Sequence, residues 1–242
     1  MGKRCNVLVT WGVAMIAVLV AALPGNAGSG AQLAEVVATL EQGYRHLTDL
    51  QADFAQRTSI ASVKREEKGF GELFMKRTTN GTAMFRFNYT KPHQQIIANG
   101  KKVWYYLPDN RQVMVTDMAA LFEGGNSVAL NYLTGLGNVS SDFTIAFAGD
   151  GRDPRGNYVL ELVPKKPSQA LAKLRLTISA KAVDGLRDSG AVREPFPILS
   201  SVVYDQLGNT TSIEYSRVKV NHGMATEQFT FKIPKGVEVI KP

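Results

Sequence analysis

Cysteine is almost missing from this 242-residue chain, which has only Cys5. That residue falls inside the N-terminal segment read below as a signal, so the rest of the chain holds no disulfide, thiolate nucleophile or cysteine-bound metal. Histidine is scarce too: His46, His93 and His222 stand far apart, none at the spacing of a metal-binding helix. Nucleophile motifs are lacking. Gly125-Asn126-Ser127-Val128 has no second glycine for a nucleophile elbow, and the neighbours Glu66 and Glu67 point to opposite faces of a strand. Asp150-Gly151-Arg152-Asp153 lacks the alternating ligands and closing Glu of a calcium loop and reads as a hairpin turn. Neither an enzyme nor a metal or cofactor site is expected.

Long apolar runs are absent after the first two dozen residues. Val7 to Leu23 is apolar, preceded by Lys3-Arg4 and followed by Pro24-Gly25-Asn26-Ala27, the three-part pattern of a secretory signal with cleavage after Ala27. The run exceeds the roughly 7–15 residues usual for such a core, so an uncleaved membrane anchor is the alternative. Nothing later approaches the ~20 apolar residues a spanning helix needs. Residues 1–27 are therefore expected to be a signal peptide and 28–242 a single soluble domain. No lipid-bearing cysteine follows the signal.

Charge is neither extreme nor clustered. The +7 of the whole chain falls to +5 when Lys3 and Arg4 leave with the signal. Basic pairs such as Lys64-Arg65, Lys76-Arg77, Lys101-Lys102 and Lys165-Lys166 are dispersed, which in an exported protein speaks against nucleic acid as a partner. A solvated basic surface and attraction to anionic lipid headgroups both remain open.

What the sequence has is strands. Ser29-x-x-Gln32 has the form of a capping box, and Leu33, Val36, Val37, Leu40, Tyr44 and Leu47 follow at helical spacing, predicting a helix over Ala31–His46 with one apolar stripe. From Leu50 the period changes to two. Strands are predicted over 50–61, 67–77, 82–90, 94–99, 101–107 and 111–116, then 139–147, 156–164, 171–180, 198–206 and 210–220. Asn80-Gly81, Asn99-Gly100 and Pro108-Asp109-Asn110 supply tight turns, hence antiparallel neighbours. Helical segments are predicted between, over Asp117–Phe122 and Ser127–Thr134, with Met118, Leu121, Phe122, Leu130 and Leu133 as their apolar residues. Ala182 to Pro197, with Gly185, Gly190, Pro195 and Pro197, reads as a long surface loop. The chain closes on the run Phe229-Thr-Phe231-Lys-Ile-Pro234. The sum is a mainly β (α+β) chain: a strongly curved antiparallel sheet of about eleven strands, with helices plugging one face.

Several strands are apolar on both sides. Phe85, Phe87 and Tyr89 alternate with Met84, while Trp104 and Tyr106 alternate with Val103, Tyr105 and Leu107, where a half-exposed sheet would be polar on one face. Either the sheet lies buried beneath its own helices, or it encloses an apolar ligand cavity. Arg77 and Arg86 flank this region. Each reads as a surface arginine with its stem along the sheet, or as a fork able to hold carbonyls at the end of a lid helix.

Five stretches carry a family resemblance. They are Leu50-Gln-Ala-Asp-Phe54-Ala-Gln56, Gly69-Phe-Gly71-Glu-Leu73-Phe-Met-Lys-Arg77, Phe85-Arg-Phe87-Asn-Tyr89-Thr-Lys-Pro92, the long run from Gln95 through Trp104 and Tyr106 to Val113, and the tail Phe229 to Val239. Through them nearly the whole mature chain resembles the periplasmic outer-membrane lipoprotein carrier family, LolA. The resemblance implies an unclosed β-barrel with helices forming a lid over the apolar concave face. It also implies a periplasmic chaperone that shelters lipoprotein acyl chains, a monomer without cofactor, loaded by an inner-membrane ABC-type release complex and unloaded to an outer-membrane acceptor. The lipid-binding residues expected are Phe74, Phe85, Phe87, Tyr89, Trp104, Tyr106, Leu121, Leu130 and Leu133, and Arg77 matches the arginine thought to latch the lid. The family usually has Pro directly after that arginine; here Thr78-Thr-Asn-Gly81-Thr82 intervenes. A lipid- or lipoprotein-sensing periplasmic regulator of the same fold is the alternative function.

Overall fold

The computed structural model describes residues 31–78, 83–118, 138–166 and 171–240. The predicted helices at 117–122 and 127–134, with Leu121, Leu130 and Leu133, lie almost wholly outside these, as do most of the inserted residues after Arg77 and the segment expected to be a signal.

Among the described residues twelve strands form one sheet. Its order runs from β12 (Glu238–Ile240) through β6 (Gln112–Asp117), β5 (Lys102–Leu107), β4 (Gln94–Ala98), β3 (Ala83–Lys91), β2 (Arg65–Arg77) and β1 (Asp49–Ile60). It continues with β11 (Thr210–Val220), β10 (Ile198–Tyr204), β9 (Lys173–Ile178) and β8 (Tyr158–Pro164) to β7 (Phe143–Arg152). All ladders are antiparallel except the last added, β12 on β6, which is parallel. Among the described residues no ladder joins β7 to β12, so the curved sheet is an unclosed barrel.

Helix α1 (Leu33–His46) begins two residues later than predicted. Its first turn is closed by Glu35, whose carboxylate accepts the Gln32 N–H at 2.6 Å, so the box sits three residues downstream of Ser29-x-x-Gln32. Val36, Leu40 and Tyr44, one stripe of the helix, are buried against inward residues from both halves of the sheet, from Val103 of β5 to Leu160 of β8. That shared cluster is the core.

Two turns use one local solution. In Asp153-Pro-Arg-Gly-Asn157 and Asp205-Gln-Leu-Gly-Asn209 the Asp carboxylate accepts the N–H groups two and four residues on, and the Asn amide donates back to it. Gly156 and Gly208 take the positive φ that each turn needs. The acidic residues after Phe147 thus include one committed to a hairpin.

The stretch expected as a surface loop from 182 to 197 instead opens as helix. Ser179 caps α3 (Ala180–Ser189) by accepting the Ala182 N–H at 3.2 Å, and Gly190 ends it at φ 66°. Between α1 and α3 in sequence, α2 (Val139–Asp142) is a single turn where strand was predicted. Ser179→Ala should cost about 1 kcal/mol, read as a lowered denaturant midpoint at unchanged slope; an unaltered midpoint would mean the cap contributes nothing.

The alternating run Phe229–Pro234 lies outside the ladders. It crosses the outer face of the sheet: Phe229 is fully buried with Phe74 and Met84, and the Phe231 ring lies 6.2 Å from Trp104 and 5.3 Å from Tyr106. Both faces of the aromatic strands are therefore covered, one by α1 and the other by this tail.

Candidate functional site

Cross-strand partners share a face, and the ladders therefore sort the aromatic residues. Ala52, Leu73, Phe87, Ile96 and Tyr105 form one inward row, and Leu50, Met75, Phe85, Ala98 and Val103 the next. A third row pairs Phe54 with Gly71 and Gly71 with Tyr89. Any side chain at position 71 would meet the Asn88 carbonyl oxygen, 2.0 Å from an ideal Cβ. With that space left empty, the Phe54 and Tyr89 rings meet edge to face over the glycine, 4.8 Å apart at 77°. Phe54 also meets Phe87 at 5.3 Å, and Phe87 meets Phe85 at 6.2 Å. Such tilted contacts suit the quadrupoles of the rings.

This inner wall is apolar with a few satisfied hydroxyls. Phe54, Phe85 and Phe87 are each 2% exposed, so in this arrangement α1 and the wall pack directly on the core. Tyr89 donates to the Gln56 side-chain oxygen at 2.8 Å, and Tyr105 to that of Gln94 at 2.6 Å. Burial raises the pKa of both tyrosines, as it does for Tyr215, pushed up to about 12, so all three are neutral hydroxyls at physiological pH.

The nine residues expected to meet lipid divide. Phe85, Phe87 and Tyr89 come together on the inner face, beneath α1. Phe74, Trp104 and Tyr106 point the other way and are covered by Phe229 and Phe231. Phe74 also walls an outer cavity of about 550 Å³ with Gln51, Lys219, His222 and Met224. Parity sets this division: on strands with aromatics at successive positions, Tyr105 and Leu73, not Tyr106 and Phe74, face the core. Phe54, Tyr105 and Met75, not among the nine, share the inner face with Phe85, Phe87 and Tyr89. The ladders turn about the Lys91-Pro92 bond, which sets Ile96 opposite Phe87, and about the Gly100-Lys101 bond, which sets Tyr105 opposite Ile96 and so on the face of Phe87.

Arg77 ends β2 beside the last turn of α1. Its Nη1 donates to the Tyr44 carbonyl at 2.7 Å, and its own N–H donates to the Thr48 carbonyl at 2.9 Å. The final carbonyls of a helix have no intrahelical partner, and Leu47 N–H reaches the same Tyr44 oxygen at 3.2 Å. A cation there also complements the helix dipole. Arg86, in contrast, lies outside: it donates to the Gln228 carbonyl of the tail and to Asn88 and Gln95, and burial lowers its pKa.

A second clamp, invisible in the sequence, holds the same junction from the tail. Asp49, 3% exposed, accepts the N–H groups of His222, Gly223 and Met224 at 2.9, 3.0 and 3.4 Å. Asn221 accepts from Thr48 N–H and donates to the His46 carbonyl. Lys76 donates to the Met224 carbonyl. The turn between α1 and β1 is thus gripped by Arg77 on one side and residues 221–224 on the other.

Among the described residues no three His, Cys, Asp or Glu side chains stand together as metal ligands, and no helix is long and apolar enough to cross a membrane.

Comparison with known proteins bears on this arrangement. The model of the family described as outer membrane lipoprotein carrier protein LolA matches residues 45–192, more than half of the chain. An outer-membrane lipoprotein carrier protein of Pseudomonas aeruginosa is 29% identical over 193 residues, 79% of this chain and 81% of its own. That of Chromohalobacter salexigens is 26% identical over 239 residues, 96% of each chain. Among solved structures, a LolA superfamily protein from Nitrosomonas europaea is similar with a TM-score of 0.40 and 14% identity, over 83% of this chain and 98% of that one.

Proposed function

Because the chain belongs to the LolA family of outer membrane lipoprotein carrier proteins, we propose that it is a periplasmic chaperone that takes the acyl chains of lipoproteins beneath α1. It would receive them from an inner-membrane ABC-type release complex and pass them to an outer-membrane acceptor, as a monomer and without a cofactor. Residues 1–27 would direct its export.

The observation that carries this reading is the aromatic inner wall of Phe54, Phe85, Phe87 and Tyr89 lying under a single amphipathic helix held at its end by Arg77. Each methylene withdrawn from water contributes about 0.8 kcal/mol, so a triacylated cysteine does not leave a membrane for water unaided. A carrier must replace the membrane's apolar contacts with its own and then give them up. A wall that is fully packed when empty meets both needs: α1 swings aside to admit the chains and returns to the wall when they go, so apolar surface stays covered at each stage.

The test is release from vesicles. Mature protein incubated with inner-membrane vesicles that carry a triacylated lipoprotein, the release complex and ATP is expected to yield a soluble one-to-one complex. Lipoprotein that stays wholly with the vesicles would sink the carrier reading.

A further inference from the structure

Among the described residues one buried side-chain polar atom is left without a hydrogen-bond partner. The Tyr44 hydroxyl is buried and has no hydrogen-bond partner among the described residues. Its neighbours sharpen the contrast. Tyr89 is bonded to Gln56, Tyr105 to Gln94, Tyr215 to Ser201 at 3.3 Å, and the Tyr158 hydroxyl accepts from Ala31 N–H and Arg152. Every other hydroxyl of this inner tyrosine set is satisfied. A buried donor left unpaired is costly and rare, and where one persists it calls for a role.

Its packing gives the hydroxyl no structural one. The ring packs against Phe196, 5.9 Å away, and Phe196 in turn meets Tyr215 edge to face at 5.3 Å. A phenylalanine at position 44 would keep these contacts, so packing alone does not call for the hydroxyl. Tyr44 stands on α1, in the same buried cluster as Phe85 and Phe87, and its main-chain carbonyl is the one that Arg77 holds. Burial, with Tyr215 nearby, raises its pKa well above the usual tyrosine value, so it is a neutral donor.

Resting on the acyl-carrier reading, we infer that the Tyr44 hydroxyl is a polar subsite for the bound lipid, donating a hydrogen bond to an ester or amide carbonyl that joins an acyl chain to the modified cysteine. The acyl chains are apolar throughout, and the linking carbonyls are the acceptors a triacylated cysteine brings into such an interior. A carbonyl needs a donor there for the reason the hydroxyl needs an acceptor. The wall and the hydroxyl thereby divide the ligand: aromatic surface takes the methylenes, and Tyr44 fixes where the linkage stops. The residue that reads the linkage also presents its carbonyl to Arg77, so seating of the lipid and holding of the helix meet at one position.

The experiment compares two synthetic probes, N-palmitoyl-S-(dipalmitoylglyceryl)cysteine and its counterpart with both glyceryl esters and the N-acyl amide replaced by carbonyl-free alkyl links, bound to wild-type protein and to Tyr44→Phe. Wild type is expected to bind the carbonyl-bearing probe about tenfold more tightly than the alkyl one, and Tyr44→Phe to bind both alike. With carbonyl-labelled probe, the carbonyl stretching band should shift to lower frequency in wild type and not in the variant. The empty Tyr44→Phe protein should be at least as stable as wild type. A preference of equal size in both proteins, or a Tyr44→Phe protein that melts well below wild type, overturns the subsite while leaving the carrier reading in place. Failure of both probes to bind wild type overturns both readings.

Discussion

Arg77→Leu is expected to slow the hand-over of bound lipoprotein to an acceptor by roughly 10- to 100-fold, with uptake unimpaired. The bond from Nη1 to the Tyr44 carbonyl, at 2.7 Å, exists with α1 docked on the wall. A hydrogen bond to a charged group is worth about 1.5–3 kcal/mol, and leucine has no donor to replace it. Its loss weakens the docked, empty arrangement relative to one in which the helix is displaced over cargo, and the population moves toward the cargo-bearing state by the same factor. Lysine in the same place keeps a charge but not the planar fork, so Arg77→Lys should fall between. Transfer of a fluorescent lipoprotein from carrier to acceptor, followed in time, measures this; release at the wild-type rate would falsify the latch.

Asp49→Ala is expected to lower stability by about 3–5 kcal/mol. Two well-formed bonds and one longer one from consecutive N–H groups end on this carboxylate in a site that is 3% exposed. Alanine leaves those donors unpaired, and an unmet buried donor costs about 1–3 kcal/mol. For a chain of this size each kcal/mol moves the midpoint by roughly 2–4 °C, so thermal melting should begin some ten degrees lower. Hydrogen exchange gives the sharper reading: protection should fall first along 221–231 and at the end of α1, because Asn221 ties the tail to the His46 carbonyl and Thr48. A midpoint within two degrees of wild type would show that water serves those groups equally well.

Much of the sheet is legible in the sequence because its strands are joined by tight turns. From Leu50 to Thr116 the predicted and observed strands differ by two residues at most, since Asn99-Gly100 and Pro108-Asp109-Asn110 permit little else. The face of each strand is another matter. Period-two reasoning needs one polar side, and Met84, Trp104 and Tyr106 remove it by packing under Phe229 and Phe231, more than a hundred residues away in sequence. Helix α3 escaped for a local reason. Only Ala182 and Val183 of its ten residues are buried, too few for a helical stripe, and Gly185 with the following prolines argued for loop. Its caps, Ser179 and Gly190, were the better guide. The Arg77 bond could be anticipated in kind, as a fork near a helix end. The grip of Asp49 on residues 222–224 could not, because a backbone nest leaves no side-chain signature.

The parallel seat of β12 on β6 has a consequence for how this molecule keeps company. An unpaired strand margin is adhesive to any passing chain, through a row of backbone donors and acceptors that no side chain need specify. Here Glu238, Val239 and Ile240 take up that row along Gln112, Val113 and Met114. The margin on this side is thereby handed to a strand of three residues, too short a row for a passing chain to extend the sheet upon.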